Sequence, residues 1–459
     1  MPCAHTFTDG TPCAHPADGE RCLFHTPPDE RDASDAAVRD AFVEAVESRS
    51  PGRKRFDGAQ FGVLELSSRV IDSKDNHEVR LDGADIEELR LPNASVREPV
   101  SLTGARIDRV SAPEATFERS VTLDGATLGA GPHEFTDATF QGKLLLTGCQ
   151  VAGPVTFEGA AFGRKVDCTD ARFEAGLDLE GCHLPSLRVS GATVEGGLQL
   201  LDAELDRLEV RNLSPDGCLV DCTRATVRSG TLAQPATGAT AFDLRRATVG
   251  DVAFAFADPA AFDHYGILRT EFEGFPFADY RETLRAFGWR LHGFTARERE
   301  SSTADLELTY LKAKNGATAV GDNDDASQFF VREMRYRRRR YRDRLADASL
   351  PLDRRFDSGG RWLTNRLLGL LAGYGERPSR VLGLALAVLT FFTAAYAAFG
   401  VTAGLSESIY FSIVTFTTLG YGDIVPPTDV TRLLAATEAI CGAFLTALFV
   451  FTLGRRVTR

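Results

Sequence analysis

A unit of ten to twelve residues recurs through the middle of the chain and leaves room for few folds. From about Phe56 to Phe256 the repeat is an apolar residue, a variable residue, a turn residue, Ala, a variable residue and a second apolar residue. Phe56-Asp57-Gly58-Ala59-Gln60-Phe61, Leu81-Asp82-Gly83-Ala84-Asp85-Ile86 and Leu123-Asp124-Gly125-Ala126-Thr127-Leu128 show it; later copies span 157–162 and 189–194. The central small residue returns at positions 94, 105, 115, 126, 138, 149, 160, 171, 182, 192 and 203. Such a unit is too short for a helical hairpin. It suits two short strands and two tight turns, so that two units close one coil of a solenoid whose neighbours bury a shared core. The Ala slot faces inward, where only a small side chain fits. Cys149 and Cys182 stand in that slot and read as buried substitutes for Ala, not as reactive thiols.

This stretch resembles the pentapeptide-repeat family, and the resemblance implies a right-handed β-helix over residues 56–256. The sequence names no ligand or protein partner for it.

Three of the nine cysteines lie in the first 25 residues. No charged, apolar, small-residue succession marks a signal peptide there, so the soluble part is expected in the cytosol, where thiols stay reduced. Cys3, Cys13, Cys22 and His25 offer three thiolates and one imidazole, a closed tetrahedral set suited to structural Zn2+. His5 and His15 are competing ligands. A segment with so few large apolar residues needs a metal to fold; otherwise it is a disordered, thiol-bearing tail. No acid–base partner for a catalytic zinc is evident nearby. Residues 1–27 are therefore expected to form a zinc knuckle and 28–55 a helical linker, with the helix at 31–48.

Residues 257–355 read as a cytoplasmic α-helical connector. Helical spacing covers Asp279–Phe294 and Thr303–Ala313; Gly316 to Asp325 reads as a polar turn, with Asn323-Asp324-Asp325 capping the next helix. That helix runs into Tyr336-Arg337-Arg338-Arg339-Arg340-Tyr341-Arg342. From Val331 to Arg361 there are eleven Arg against five acids. Trp362–Ala372 reads as a short amphipathic helix within an interfacial segment, 356–376, lying on the inner membrane surface.

Val381–Phe399 and Leu433–Leu453 are apolar runs of 19 and 21 residues, the second interrupted by Glu438. At a rise of 1.5 Å per residue they reach about 29 and 31 Å, the thickness of a bilayer core at roughly 30 Å. Leu405 to Thr417 is too short to span and suits a re-entrant helix. Irregular backbone at that depth is tolerated only where it is buried in protein or lines a watery path. The backbone that follows is Thr417-Thr418-Leu419-Gly420-Tyr421-Gly422-Asp423. A cation stripped of its water needs rings of oxygens. Successive carbonyls point one way only if some residues take unusual backbone angles, which Gly420 and Gly422 do without strain. The Thr418 hydroxyl adds a ring, and four copies complete each ring.

The segment resembles the potassium-channel signature, with Leu419 where valine is commoner, and the resemblance covers about Leu371 to Arg459. It implies an all-α two-transmembrane pore domain at 377–459 and a homotetramer in the lipid bilayer of the cell membrane. K+ is then the permeant ion and Thr417, Thr418, Leu419, Gly420, Tyr421, Gly422 and Asp423 the selectivity filter. Gly442 would be the gating hinge of the second span, or a small residue for close packing; Thr446, one turn on, would face the cavity. Glu438 is expected behind the pore helix, bonded toward Thr415 or the filter, and Tyr410 is expected to hydrogen-bond Asp423. Arginines before the first span and at Arg455, Arg456 and Arg459, against Glu407, Asp423 and Asp429 in the loops, place both termini in the cytoplasm. The Arg-rich helix reads as part of that signal, or as a contact for anionic lipid headgroups.

There is no arginine-repeat span and no nucleotide-binding fold after the pore, so gating is expected from the cytoplasmic N-terminal side. A net charge of −12 with Arg in excess of Lys suits a halophilic archaeal microbe, or equally an acidic cytosolic protein of a GC-rich genome. No nucleic-acid partner is expected. With no nucleophile–base arrangement or phosphate loop, neither is an enzyme. The alternative from another class is a membrane-tethered β-helix scaffold with a vestigial pore.

Overall fold

The computed structural model describes residues 3–72, 77–291 and 301–457. They fall into two compact units, Met1–Ser301 with Asn315–Asp322, and Ser302–Lys314 with Asn323–Arg459.

The six-residue motif builds the first unit turn by turn. The Ala59 N–H donates to the Phe56 carbonyl and closes a tight turn whose third residue, Gly58, has φ +71°. The turn before Ala94 places Asn93 there at φ +55°, a region that Asn tolerates better than most residues. The following Ala then points inward: Ala59, Ala84, Ala105, Ala126 and Ala160 are all buried. So are Cys149 and Cys182, and burial pushes both thiols up to about 12.

All strands pair in parallel with their counterparts one coil away. Asp85 faces Arg106, Thr139 faces Ala161 and Thr127 faces Gln150, so these coils take 21, 22 and 23 residues, two sequence units each. Coils carry four short strands, some fused around a corner: Arg106–Ser111 pairs with Thr127–Leu128 at one end and His133–Glu134 at the other. The result is a β-solenoid of about ten coils. Phe117, Phe140 and Phe162 stack along its axis at centroid spacings of 4.8 and 5.2 Å.

The strands continue past Phe256 through Tyr265–Gly266 and Glu271–Phe272. Thr270 stands in the Ala slot of the last turn, fully buried, and its hydroxyl donates to the Leu244 carbonyl at 2.6 Å. A pattern that demands Ala misses it.

Both ends of the stack are covered. At the first, α1 (Asp35–Glu47), capped by Ser34, buries Val38, Phe42 and Val46, with the Phe42 ring 4.6 Å from Phe56. At the second, Phe254, Tyr265, Phe275 and Tyr280 cluster, and the Phe254 N–H donates to the Tyr280 hydroxyl at 2.7 Å. The helix expected at Asp279–Phe294 is only α2 (Arg281–Ala286) among the described residues, and its expected end lies outside them. Gly316, expected in a turn, lies inside α3 (Thr303–Ala319). A Cβ there would come 2.5 Å from Phe272 Cβ, so its glycine permits close packing on the last strand. The turn shrinks to residues 320–322.

In the second unit, Thr303–Lys314 of α3 packs on α4 (Asn323–Ala346), where Tyr310 stacks on Tyr336 at 5.4 Å. The helix expected at the membrane interface, α5 (Leu352–Ala372), starts earlier than expected, directly after Pro351, and ends at Gly373 with φ +56°. Three helices follow: α6 (Pro378–Ala398), α7 (Leu405–Phe416) and α8 (Asp429–Val457). The apolar windows of α6 and α8 have mean hydropathy 2.0 and are only 17% buried within the chain. They are long enough to cross a membrane and too exposed to be the core of a soluble domain.

Candidate functional site

The short helix α7 is wedged between the two long ones. Phe392 and Tyr396 of α6 pack on Phe411 of α7, with Leu434 and Ala435 of α8 against them. Val381, Phe416 and Leu445 form a second contact set. Between these layers Glu438 is fully buried. Ser412 Oγ donates to its Oε1 at 2.5 Å and Tyr396 OH to its Oε2 at 2.6 Å. Glu438 thus sits behind α7, but its partners are Ser412 and Tyr396, not Thr415. Helix α8 runs unbroken through Gly442, where a Cβ would fall 2.0 Å from the Phe416 carbonyl oxygen. Glycine there lets α8 touch the end of α7.

At that end the backbone leaves the helix. The Thr417 hydroxyl donates to the Ile413 carbonyl at 2.7 Å, and the Leu419 N–H to Val414 O at 3.0 Å. Left-handed φ values then fall on alternate residues: Thr418 at +59°, Gly420 at +55° and Gly422 at +78°, with Leu419 and Tyr421 between them outside that region. A Cβ on Gly420 or Gly422 would meet nothing within 4 Å. Glycine is needed there for its dihedral angle, not for space. Alternation of this kind turns successive carbonyls to the same side of an extended chain. Beyond it, the Tyr410 hydroxyl donates to Asp423 Oδ2 at 2.8 Å and ties α7 to the far end of the segment. Leu419, Tyr421 and Thr446 are exposed in the single chain.

A second candidate centre lies in the first unit. Cys3, Cys13, Cys22 and His25 are all buried and bring their ligand atoms within 4.8 Å of one another. Cys13 Sγ lies 3.8 Å from Cys22 Sγ and 3.6 Å from His25 Nδ1; Cys3 Sγ lies 3.9 Å from the same nitrogen. Metal–sulfur bonds of about 2.3 Å at tetrahedral angles set ligands roughly 3.8 Å apart, so the set fits Zn2+. The contact between Cys13 and Cys22 draws the Cys22 thiol below its ordinary value and pushes the Cys13 thiol above it, whereas a bound metal would hold both as thiolates. His25 Nε2 lies 3.1 Å from the Asp57 carbonyl, which fixes the ring with Nδ1 toward the sulfurs. His5 and His15 fall outside the set. His5 stacks on His25 at 3.8 Å, and His15 is held between Phe24 and Phe56 with Nε2 on the Arg55 carbonyl at 3.0 Å. Sequence spacing alone did not point to Asp57, Ser412 or Tyr396. A tyrosine hydroxyl inside an apolar span, which must find a partner, was the available signal for Tyr396.

Comparison with known proteins divides along the same lines. Residues 383–459 match a family described as ion channel, and residues 135–183 one described as pentapeptide repeats. Over 44 residues the chain is 50% identical to "Two pore potassium channel a" of Oryza sativa subsp. japonica, covering 10% of this chain and 13% of that one. It is 48% identical over 44 residues to "Two-pore potassium channel 1" of Arabidopsis thaliana, covering 10% and 12%. The chain thus spans about an eighth of the length of these relatives. No solved structure matches it. The chain carries an ion-channel domain joined to a pentapeptide-repeat solenoid.

Proposed function

We propose that this chain is one subunit of a homotetrameric, potassium-selective channel of the cell membrane, a conductor of ions rather than an enzyme. K+ passes along the backbone of Thr417, Thr418, Leu419, Gly420, Tyr421 and Gly422, with Asp423 at the outer mouth. The observation that carries this reading is the alternation of left-handed residues at 418, 420 and 422 between two membrane-length helices. Carbonyls turned to one side replace the water shell of a cation only when four chains close the ring. The exposed Leu419 and Tyr421 then brace the filter from outside it.

Arg377 and Arg380 at the start of α6 mark the cytoplasmic side, and Glu407, Asp423 and Asp429 the other. Gly442 is the gating hinge: a bend there withdraws α8 from the Phe416 carbonyl, so the gate and the base of the filter move together. Thr446 faces the cavity. Structural Zn2+ on Cys3, Cys13, Cys22 and His25 holds the N-terminal knuckle, and the cytoplasmic N-terminal region sets the state of the gate.

Reversal potentials under bi-ionic conditions test the central claim. Strong preference for potassium over sodium is expected, and equal permeability refutes it. Gly420→Ala should abolish selective flux, because a Cβ opposes φ +55°. Native mass measurement should find four chains.

A further inference from the structure

The arginines of α4 divide between two faces. Arg337 and Arg340 turn toward α3, where Glu307 meets them at 2.8 and 3.0 Å and Glu333 adds a contact to Arg337 at 2.6 Å. Arg335, Arg338, Arg339 and Arg342 follow i, i+3, i+4, i+7 spacing and share another face. That face lines a cleft of about 550 Å³, completed by Arg366 of α5 and by Arg377 and Arg380 at the start of α6. Among the described residues no Asp or Glu lines it. Among the described residues only Arg342 of this group has a carboxylate within ion-pair distance, Asp343 at 3.8 Å. Burial and the like charges of Arg332, Arg377 and Arg338 push the Arg335 guanidinium below its ordinary range.

One wall is held in a demanding conformation. Tyr374 has φ +64° between Gly373 at +56° and Gly375 at +88°. Such backbone persists only where its surroundings enforce it. The Tyr374 hydroxyl donates to Asn365 Oδ1 at 3.2 Å and accepts from Arg338 Nη1 at 3.4 Å. A Cβ on Gly369 would come 2.6 Å from the Tyr374 ring, so glycine admits the ring against α5.

We propose that this cleft is a binding site for a group carrying clustered phosphates. Guanidinium forks hydrogen-bond phosphate oxygens in pairs, and a multiply charged anion relieves the repulsion that the fold imposes. The volume lies within the range of about 300–1,000 Å³ usual for ligand sites. Two sources share this chemistry. One is a lipid headgroup, which rests on the membrane reading above, since Arg377 and Arg380 begin the first span. The other is a soluble polyphosphate.

The test uses the full chain in phosphatidylcholine nanodiscs and reads binding rather than current, so failure of the channel reading leaves it interpretable. Inorganic tripolyphosphate is titrated calorimetrically, and cardiolipin retention is followed by native mass spectrometry. Arg335→Gln/Arg338→Gln and, separately, Arg377→Gln should weaken one or both at least tenfold. Arg361→Gln, whose guanidinium pairs with Asp357 outside the cleft, should change neither. Loss of tripolyphosphate binding names the soluble source, and loss of cardiolipin retention names the lipid. With like charges removed, the double variant should melt no lower than wild type, which separates a lost site from a lost fold. If wild type and both cleft variants take up tripolyphosphate alike and retain cardiolipin alike, the cleft is not a phosphate site.

Discussion

A carboxylate inside an apolar helix is costly unless its oxygens have donors, and Glu438 has one for each, from two other helices. The three side chains join α6, α7 and α8 behind the segment Thr417–Asp423. Glu438→Ala leaves the Tyr396 hydroxyl without its acceptor and Ser412 with only the Leu389 carbonyl at 3.3 Å, at a cost of about 1–3 kcal/mol for the buried tyrosine hydroxyl. Its melting temperature in detergent should fall clearly and its potassium preference weaken. Glu438→Gln keeps an acceptor for one hydroxyl and a donor for the other, and should lose less than half as much. Unchanged melting of the alanine variant would remove this bridge from the account. The cost of Glu438 was legible in the sequence; its partners were not. Thr415 and Ser412 lie one turn apart on α7, and only the packing phase of that helix decides between them. Tyr396 is 42 residues away, in a run read for its hydrophobicity alone.

Elements with a strong period were the most legible. The Ala-centred unit gave the solenoid, its inward slot and its two-unit coil, because each turn is local and repeats. Its far boundary was hidden by one polar substitution, Thr270, whose hydroxyl finds the Leu244 carbonyl. Helix ends that depend on distant neighbours, such as Gly316 against Phe272, were hidden too. The glycine-bearing segment 417–423 and the four Cys and His side chains that cluster in the structure could be picked out from residue type and spacing. The support of His25 by Asp57 could not, since it needs the first coil in place. That contact makes the knuckle part of the solenoid's N-terminal cover. The Gln60 N–H also donates to Phe24 O at 2.8 Å, and Arg31 Nη2 to Gln60 O at 2.7 Å. In a stack with nearest-neighbour coupling, removing the metal should loosen the near coils first. Cys13→Ser protein should lose about one zinc per chain, and hydrogen exchange should rise across Gln60–Glu65 while Thr139–Val194 stays protected. Equal protection in both regions would mean that the knuckle does not hold this end.

For the whole molecule, the contacts that shape Thr417 to Asp423 are made within α6, α7 and α8. Selectivity should therefore survive without the solenoid. The cut belongs at Ser302 and not before Asp357, because Glu307 of α3 neutralises Arg337 and Arg340. A chain beginning at Ser302 should keep its reversal potential and change its open probability in matched single-channel records. An unchanged open probability would separate the solenoid from gating, and loss of tetramers would assign it to assembly. The solenoid's stacking also bears on descent. Thr116, Thr139 and Ala161 occupy one column on successive coils. A duplication or loss of one coil, 22 residues between Thr139 and Ala161, returns the chain to the same phase. It moves one capped end relative to the other by a single strand spacing of about 4.8 Å. Coils of 21, 22 and 23 residues keep the alanines inward, so single-residue differences are absorbed at the turns without disturbing the columns. Lineages can thus lengthen or shorten this unit by whole storeys, adjusting its reach while inheriting both ends unaltered.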